Sequence, residues 1–190
     1  MDVPAPRLSK RQRTQARLLA CALELFEAQG YEATTVAQIA AAARVTEMTF
    51  FRHFSSKEQV LLEDPYDPLI AAAVSGQPVE LGPLARAVGG MRTAWRQLPE
   101  PDEETTHRRV RIAAATPALR GAVWRNNAAT EGLIAEQLIA DGADPLRARA
   151  AAAAVLAAVM AALFEWASND GMNLGDAVLA GLDTLESGHD

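Results

Sequence analysis

Apolar residues recur three and four positions apart along most of the chain, which is the period of amphipathic helices. The first such pattern predicts a helix over about residues 10–29, stopped by Gly30 before Tyr31. Its buried positions are predicted to be Leu19, Ala22, Leu23 and Phe26. The Ala-rich composition with few aromatic residues favours closely packed helices over a β-sandwich, so the predicted fold class is all-α.

A second, shorter helix is predicted to follow Thr35. Gln38 stands three residues after Thr35, which is the spacing of a capping box. The apolar positions of this helix fall at i, i+3, i+4 and i+7 and form one buried stripe: Val36, Ile39, Ala40 and Ala43. Thr46 is placed to cap the next helix, which leaves residues 43–45 to turn the chain.

The helix that begins after Thr46 has one buried face and one open face. Phe50 and Phe54 are four residues apart and are predicted to point inward, with Val45 at the corner. The residues left facing outward are Thr46, Glu47, Met48, Thr49, Arg52 and His53. A third helix is predicted to start at a second capping box, Ser55 with Glu58, and Lys57 lies close to its N-terminus. Together these elements predict a helix-turn-helix, which places its second helix in a DNA major groove.

The rest of the chain is predicted to be helical as well. Prolines at Asp64-Pro65 and Asp67-Pro68 interrupt the segment that follows the helix-turn-helix, and this break is either a pivot between domains or an ordinary helix end. One further helix is predicted over residues 81–98, and another begins at the acids 102–104. A third runs from Thr116-Pro117 to Asp141 and a fourth from Asp144-Pro145 to about Ser168. The last begins at a cap, Asn173, and ends at Glu186. Two domains are predicted, residues 1–60 and 61–190.

Charge is distributed unevenly between these two predicted domains. Residues 1–60 carry eight Lys and Arg against six acids, a net of +2, whereas the remaining residues carry ten against eighteen, a net of −8; the whole chain is −6. A local positive field is sufficient for DNA binding by an acidic protein. The N-terminal part is therefore the predicted DNA-facing part.

Several classes of protein are disfavoured by the sequence. Cys21 is the single cysteine, so an intramolecular disulfide is impossible, and its helical apolar surroundings indicate a buried small residue rather than a redox sensor. The chain shows no signal peptide, and the apolar run at 148–166 is too weakly hydrophobic for a membrane span, so a cytoplasmic location is predicted. His53, His107 and His189 are scattered, and no metal-ligand spacing or phosphate-binding glycine loop is present; no catalytic residue, metal or cofactor is predicted.

The segment from Arg17 to Leu61 resembles the DNA-binding domain of the TetR family of transcriptional regulators. The residues that carry the resemblance are Ala22, Phe26, Gly30-Tyr31, Thr34-Thr35-Val36, Ile39-Ala40, Val45-Thr46, Thr49, Phe51, His53-Phe54 and Lys57-Glu58. Three positions depart from the family pattern. Arg44 stands where the family commonly has Gly in the turn, Met48 where a small residue is usual, and Phe51 where Tyr is usual, so the hydroxyl that would reach a phosphate is absent.

The resemblance implies an all-α homodimer, usually a repressor, with an N-terminal three-helix helix-turn-helix DNA-binding domain and a C-terminal helical ligand-binding and dimerisation domain. The implied partners are a double-stranded DNA operator and an unidentified small molecule. The residues implied to meet DNA are Thr35, Thr46, Glu47, Met48, Thr49, Phe51, Arg52, His53 and Lys57.

Roles on DNA follow from the chemistry of these side chains. The hydroxyls of Thr35 and Thr46, the ring of His53 and the ammonium of Lys57 suit phosphates. Arg52 suits a guanine edge, Glu47 a cytosine amine, and Met48 or Thr49 a thymine methyl. Glu47 has the alternative role of an acid at its own helix N-terminus. The basic N-terminal residues Arg7, Lys10, Arg11 and Arg13 either reach the DNA or belong to a solvated tail.

The last two helices are the predicted dimer contact. The helix after Pro145 has little polar character on any side, so one face can pack on its own domain and another on a second copy; the alternative is a helix wholly internal to the monomer. Residues from the three helices that line the pocket in TetR-like proteins form the predicted ligand site: Met91, Trp95, His107, Arg111, Trp124 and Asn127. Each of these has the alternative of an ordinary core or surface position. If His107 and Arg111 both point inward, the ligand is predicted to be acidic.

A ligand-responsive DNA-binding regulator, released from a palindromic operator by a small molecule, is therefore the leading hypothesis. The alternative is a TetR-like helical protein that acts through a protein partner, and such a protein would lack salt-dependent duplex binding. An enzyme comes last.

Overall fold

The computed structural model describes residues 9–62, 67–97, 102–169 and 171–186, and within these residues the regular structure is entirely helical. The chain separates into two compact units, Met1–Glu63 and Asp64–Asp190. The all-α fold class is confirmed.

The N-terminal unit contains four described helices, which are α1 (Lys10–Gln29), α2 (Val36–Ala42), α3 (Glu47–Phe51) and α4 (Gln59–Leu62). The second unit contains six more, which are α5 (Asp67–Ser75), α6 (Pro83–Gln97), α7 (Glu103–Ala115), α8 (Arg120–Ala140), α9 (Pro145–Ser168) and α10 (Leu174–Glu186). A 3₁₀ turn, Pro117–Leu119, precedes α8.

Helix α1 begins and ends at residues suited to those places. Ser9 caps it in a capping box with Gln12, and Gly30 ends it at φ +84°, a conformation that favours glycine. Its buried residues are Leu18, Ala22, Leu23 and Phe26. The prediction of Leu19 on this face was wrong, because the buried stripe lies one residue earlier at that end and leaves Leu19 half-buried.

Three helix starts in the second unit follow local capping chemistry. Asp102, Asp144 and Asn173 each accept a hydrogen bond from a backbone N–H in the first turn of the following helix, and the caps at Asp144 and Asn173 were predicted. Thr116 differs, since its side chain makes no cap bond and the chain passes through the 3₁₀ turn before α8 starts at Arg120. Gly142, at φ +95°, follows the end of α8.

The predicted interruption after the helix-turn-helix falls partly outside the described residues. Helix α4 ends at Leu62 and α5 begins at Asp67, whereas Asp64 and Pro65 lie in the undescribed stretch 63–66. The hypothesis of a pivot here stays a prediction. Leu98, the last residue of the helix predicted over 81–98, likewise lies outside the described residues, and α6 ends at Gln97.

Helix α9 is the centre of the second unit. It packs against α6, α7, α8 and α10, while α5 packs on α6 and α8. Small residues permit close approach, since a Cβ added at Gly181 on α10 would lie 2.9 Å from the carbonyl oxygen of Ala158 on α9. Among the described residues α9 alone has the length and apolar composition of a membrane-crossing helix, a test that the core helix of a soluble protein also meets.

A buried arginine braces this unit. Arg86 of α6 is 2% exposed and forms an ion pair of 2.5 Å with Asp141, the residue that follows α8. The Gln137 amide also donates to the Asp141 carboxylate. The hydrogen bonds from Arg86 and then Gln137 lower the pKa of the Asp141 carboxyl. An arginine is rarely buried unless it is paired, and Asp141 supplies the partner here.

The contact between α5 and α6 depends on Gly90. A Cβ at Gly90 would lie 2.4 Å from Cγ2 and 2.6 Å from Cα of Val74, whereas a Cβ at Gly132 of α8 would meet no atom within 4 Å. We expect Gly90→Ala to lower the free energy of unfolding by about 1–3 kcal/mol through overpacking. The control Gly132→Ala should raise it by roughly 0.5–1 kcal/mol, because alanine favours the helix. Urea denaturation of both variants measures the two changes, and equal effects would contradict the packing described.

Candidate nucleic-acid interface

The N-terminal unit is held by a small aromatic and aliphatic core. Phe50 of α3 and Ile39 of α2 are both fully buried, and the ring of Phe50 lies 5.6 Å from that of Phe54 between centroids. Helix α2 packs on both α1 and α3. The predicted inward direction of Phe50 and Phe54 is confirmed, while Val45 at the corner is half-buried.

Both predicted caps of the helix-turn-helix are present. The Thr35 hydroxyl accepts from the backbone N–H of Gln38 at 3.2 Å, and the Gln38 side-chain oxygen accepts from the Thr35 backbone N–H at 2.8 Å. The Thr46 hydroxyl accepts from the backbone N–H of Thr49 at 3.1 Å. These bonds fix where α2 and α3 begin, so they fix which residues of α3 face outward.

The turn between α2 and α3 contains a left-handed residue. Arg44 has φ +54°, which makes it the one non-glycine residue with positive φ among the described part of the chain. The backbone N–H groups of Arg44 and Val45 donate to Ala41 and Ala40, which closes the turn. Such a conformation is costly for a residue with a Cβ, and the family pattern has glycine at this place.

The outer face of α3 exposes a mixture of apolar and charged side chains. Met48 is 68% exposed and Phe51 53% exposed, and Glu47, Arg52 and the capping Thr46 are exposed as well. The guanidinium of Arg52 lies 3.9 Å from the sulfur of Met48, one helical turn earlier. Phe51 keeps an edge-to-face contact with Phe50, with centroids 5.4 Å apart.

Two residues that were expected to face outward are half-buried. The Thr49 hydroxyl lies 3.0 Å from that of Thr46, so the two form a pair. The His53 ring has its Nδ1 atom buried, and no described residue bonds to that atom. Thr49 and His53 are therefore less exposed than the other residues of the predicted outward face.

Lys57 differs most from its predicted place. Its ammonium donates to the backbone carbonyls of Tyr31 and Thr34, each at 2.8 Å, and lies 4.0 Å from the centroid of the Tyr31 ring. In this arrangement the ammonium is turned into the unit, and its contact with a phosphate stays a prediction. The carbonyls that attract it belong to residues more than 20 positions earlier, so the sequence pattern gave no signal of them.

The second predicted capping box is also absent. The helix begins at Gln59, four residues after Ser55, and Glu58 lies before the helix rather than in its first turn. Hydrogen bonds from its own backbone N–H and from the Ser56 hydroxyl lower the pKa of the Glu58 carboxyl. Glu58 thus braces its own loop instead of bonding Ser55.

The predicted ligand-site residues do not form one enclosed site. Met91 is buried, Trp95, His107 and Asn127 are half-buried, and Arg111 and Trp124 are exposed. Trp124 is 72% exposed, so its predicted place in a cavity wall is wrong for the single chain. Arg111 is exposed, so the condition for an acidic ligand, that His107 and Arg111 both point inward, is not met in the single chain.

His107 instead packs on a residue that sequence reasoning missed. Its ring lies edge-to-face on buried Trp166 of α9, with centroids 5.0 Å apart. Trp95 lies near the start of α10, with its Nε1 atom 3.6 Å from the Cβ position of Gly175. The aromatic residues in this part of the unit therefore pack against other helices.

An open cleft of about 380 Å³ lies elsewhere in the second unit, and none of the six predicted residues lines it. Its lining residues are Val79, Leu81, Pro83, Arg86, Asp141, Gly142, Ala143, Asp144 and Arg147. The two arginines and two acids leave it without excess charge. Within the described residues, no group of three or more His, Cys, Asp or Glu side chains is placed to hold a metal.

Comparison with known proteins identifies the family. Residues 18–63 match the family described as bacterial regulatory proteins, tetR family, and residues 82–190 match the MftR C-terminal domain. The chain belongs to the TetR family. The first match covers the helix-turn-helix described above, and the second covers α6 to α10.

Similar proteins are also transcriptional regulators or repressors. The chain is 37% identical over 149 residues to the HTH-type transcriptional regulator TcmR of Streptomyces glaucescens. The aligned residues make up 74% of this chain and 66%, just under two thirds, of TcmR. The fold is similar to that of NalD, secondary repressor of the MexAB-OprM multidrug efflux pump in Pseudomonas aeruginosa, with a TM-score of 0.60, 23% identity, and coverage of 93% of this chain and 96% of that one. It is also similar to SmeT, repressor of the Stenotrophomonas maltophilia efflux pump SmeDEF, with a TM-score of 0.57, 20% identity, and coverage of 94% and 91%.

The left-handed Arg44 of this TetR member gives a direct test of the turn. Replacing Arg44 by Gly should raise the free energy of unfolding of the N-terminal unit by about 1 kcal/mol, because glycine adopts positive φ without steric cost. The control Arg44→Ala removes the same charged side chain but keeps the Cβ, so it should give no such gain. Thermal denaturation compares the two variants, and an equal change in both would show that the turn does not strain residue 44.

Proposed function

We propose that this TetR-family protein is a ligand-responsive, DNA-binding transcriptional repressor that acts as a homodimer in the cytoplasm. The observation that carries the proposal is the short capped helix α3, which leaves Met48, Phe51 and Arg52 exposed beside the acid Glu47. TcmR, the relative with 37% identity, is a transcriptional regulator. The proposed role is regulatory and not enzymatic.

The exposed face of α3 offers three kinds of base contact. The Arg52 guanidinium can donate two parallel hydrogen bonds to a guanine edge, and the Glu47 carboxylate can accept from a cytosine amine. The Met48 side chain, with its large exposed apolar area, suits a thymine methyl. We therefore propose a half-site that contains a guanine and at least one thymine.

Phosphate contacts are proposed for the residues that flank these bases. The hydroxyls of Thr35 and Thr46 lie at the exposed starts of α2 and α3, and the half-buried His53 ring follows α3. Phosphate contacts fix the register of a helix on the duplex without reading the sequence. Phe51 lacks a hydroxyl and would meet the backbone only through its apolar edge.

A second copy of the chain is proposed to cover one side of α9. We call this side the α9 seam; its residues recur three and four positions apart and are Leu146, Ala150, Ala153, Ala157, Met160 and Phe164. Leu146 is 77% exposed, and Ala150 and Ala157 are exposed as well, although four other helices pack on α9. An exposed apolar stripe of this length is typical of a helix that pairs with a symmetry mate.

The effector is proposed to be a small molecule that binds within the α6–α8 region of the second unit, where Met91, Trp95, His107 and Asn127 are at least half-buried.

Selection of bound duplexes from a random pool, followed by a search for small molecules that release them, tests the proposed function. Salt-dependent binding to a selected palindrome supports it. Absence of any duplex binding would favour the alternative of a TetR-like protein that acts through a protein partner.

Arg52 is the residue whose loss should change sequence preference most locally. We expect Arg52→Ala to cost about 1–3 kcal/mol at one base pair of the selected duplex and to relax the preference there. The control Arg120→Ala removes the same charge from an exposed position in the second unit and should leave the preference unchanged. Competition with every single-base variant of the duplex measures both, and a uniform loss across all sequences would contradict base contact by Arg52.

The α9 seam should be sensitive to charge. Ala157→Glu places a carboxylate in the middle of the proposed contact, where desolvation is costly, so we expect a monomer at micromolar concentration. Ala114→Glu makes the same change at an exposed position of α7 and should leave the dimer intact. Sedimentation analysis of both variants measures the assembly, and a persistent Ala157→Glu dimer would place the contact elsewhere.

A further inference from the structure

The Lys57 side chain, in the segment between α3 and α4, contacts the turn between α1 and α2. The Lys57 ammonium bonds the carbonyls of Tyr31 and Thr34 at 2.8 Å each and lies over the Tyr31 ring at 4.0 Å. Charge-assisted hydrogen bonds are about twice as strong as neutral ones, and the ring contact adds a cation–π attraction. All three contacts are made by one cation to one turn.

The turn that receives Lys57 is itself well braced. Thr34 is 1% exposed, and its hydroxyl donates to the carbonyl of Gly30 at 2.8 Å. The Tyr31 ring is buried and lies 5.2 Å from that of Phe26 on α1. The turn therefore provides a fixed anchor, and Lys57 connects the chain that leaves α3 to it.

The anchor lies directly beside the start of α2. Thr34 precedes Thr35, the cap of α2, while Lys57 follows α3 with the buried Phe54 between them. The ammonium thus joins the entrance of the first helix of the helix-turn-helix to the exit of the second.

We propose that Lys57 is a positioning residue that fixes the angle between α2 and α3, and that it acts on DNA binding through this angle and not through a phosphate. This inference rests on the proposed DNA-binding function and specifies how the reading helix is held. A correct angle matters because Thr35 on α2 and Arg52 after α3 must meet the same duplex.

Salt dependence separates a positioning role from a phosphate contact. Each phosphate that a protein cation neutralises contributes about 0.9 to the slope of log K against log salt concentration. Loss of a phosphate contact makes that slope shallower by roughly one unit. Loss of a positioning residue lowers affinity for the selected duplex while the number of neutralised phosphates, and hence the slope, stays the same.

The test uses the full chain with Lys57→Met, which keeps an apolar stem and removes the ammonium, and Lys57→Arg, whose guanidinium can donate to both carbonyls and stack on Tyr31. Binding to a duplex selected by the wild-type chain is measured over a range of salt concentrations, well below the unfolding midpoint of each variant. We expect Lys57→Met to bind at least about tenfold more weakly with an unchanged slope and a lower midpoint, and Lys57→Arg to restore most of both.

Three results would overturn the proposal. A slope shallower by about one unit with an unchanged midpoint assigns Lys57 to a phosphate. An unchanged affinity with a lower midpoint limits Lys57 to stability. Failure of Lys57→Arg to restore binding would show that loss of the carbonyl contacts does not cause the weaker binding of Lys57→Met. Should Lys57→Met not fold, Lys57→Gln, which keeps a polar terminus without charge, is judged by the same slope. Absence of salt-dependent duplex binding by the wild-type chain would instead refute the proposed function.

Discussion

The burial of Phe50 is the constraint on which the candidate DNA surface depends. Helix α3 has only five residues, and a helix of that length is not stable alone, so its geometry comes from the cap at Thr46 and from the aromatic core around Phe50. Successive residues of a helix are rotated by about 100°. Once Phe50 points inward, Met48 and Arg52, each two residues from it, must point to the opposite side of the helix, where they are exposed.

Both units use a cation to join segments that are distant in the chain. In the N-terminal unit Lys57 bonds two carbonyls of the α1–α2 turn, and in the second unit buried Arg86 pairs with Asp141 at the end of α8. Breaking a buried pair from one side is costly, because the remaining group is left unsatisfied. These two contacts help to fix the angles between helices. Small apolar side chains such as alanine fix such angles less well, so the contacts matter more in a chain rich in alanine.

Local features could be predicted from the sequence, and tertiary ones could not. The capping box of Thr35 with Gln38 and the Thr46 cap depend on neighbouring residues, so spacing alone indicated them. The positive φ of Arg44 was indicated by the resemblance, since the family commonly has Gly at that place. Ser55 with Glu58 has the same spacing but no cap forms, since Glu58 bonds Ser56 and its own backbone. The inward Lys57 and the exposed Trp124 depend on residues far away in the sequence, and helical period carries no information about them.

A direct test of DNA reading by α3 is to follow methionine methyl resonances by NMR while a selected duplex is added. Met48 is 68% exposed on α3 and Met91 is 5% exposed on α6, so the two serve as probe and control in one sample. We expect the Met48 methyl resonance to move as the duplex saturates the protein, and to move less when thymine in the half-site is replaced by uracil, while Met91 stays in place. A Met48 resonance that does not move at saturation would contradict contact between α3 and the bases.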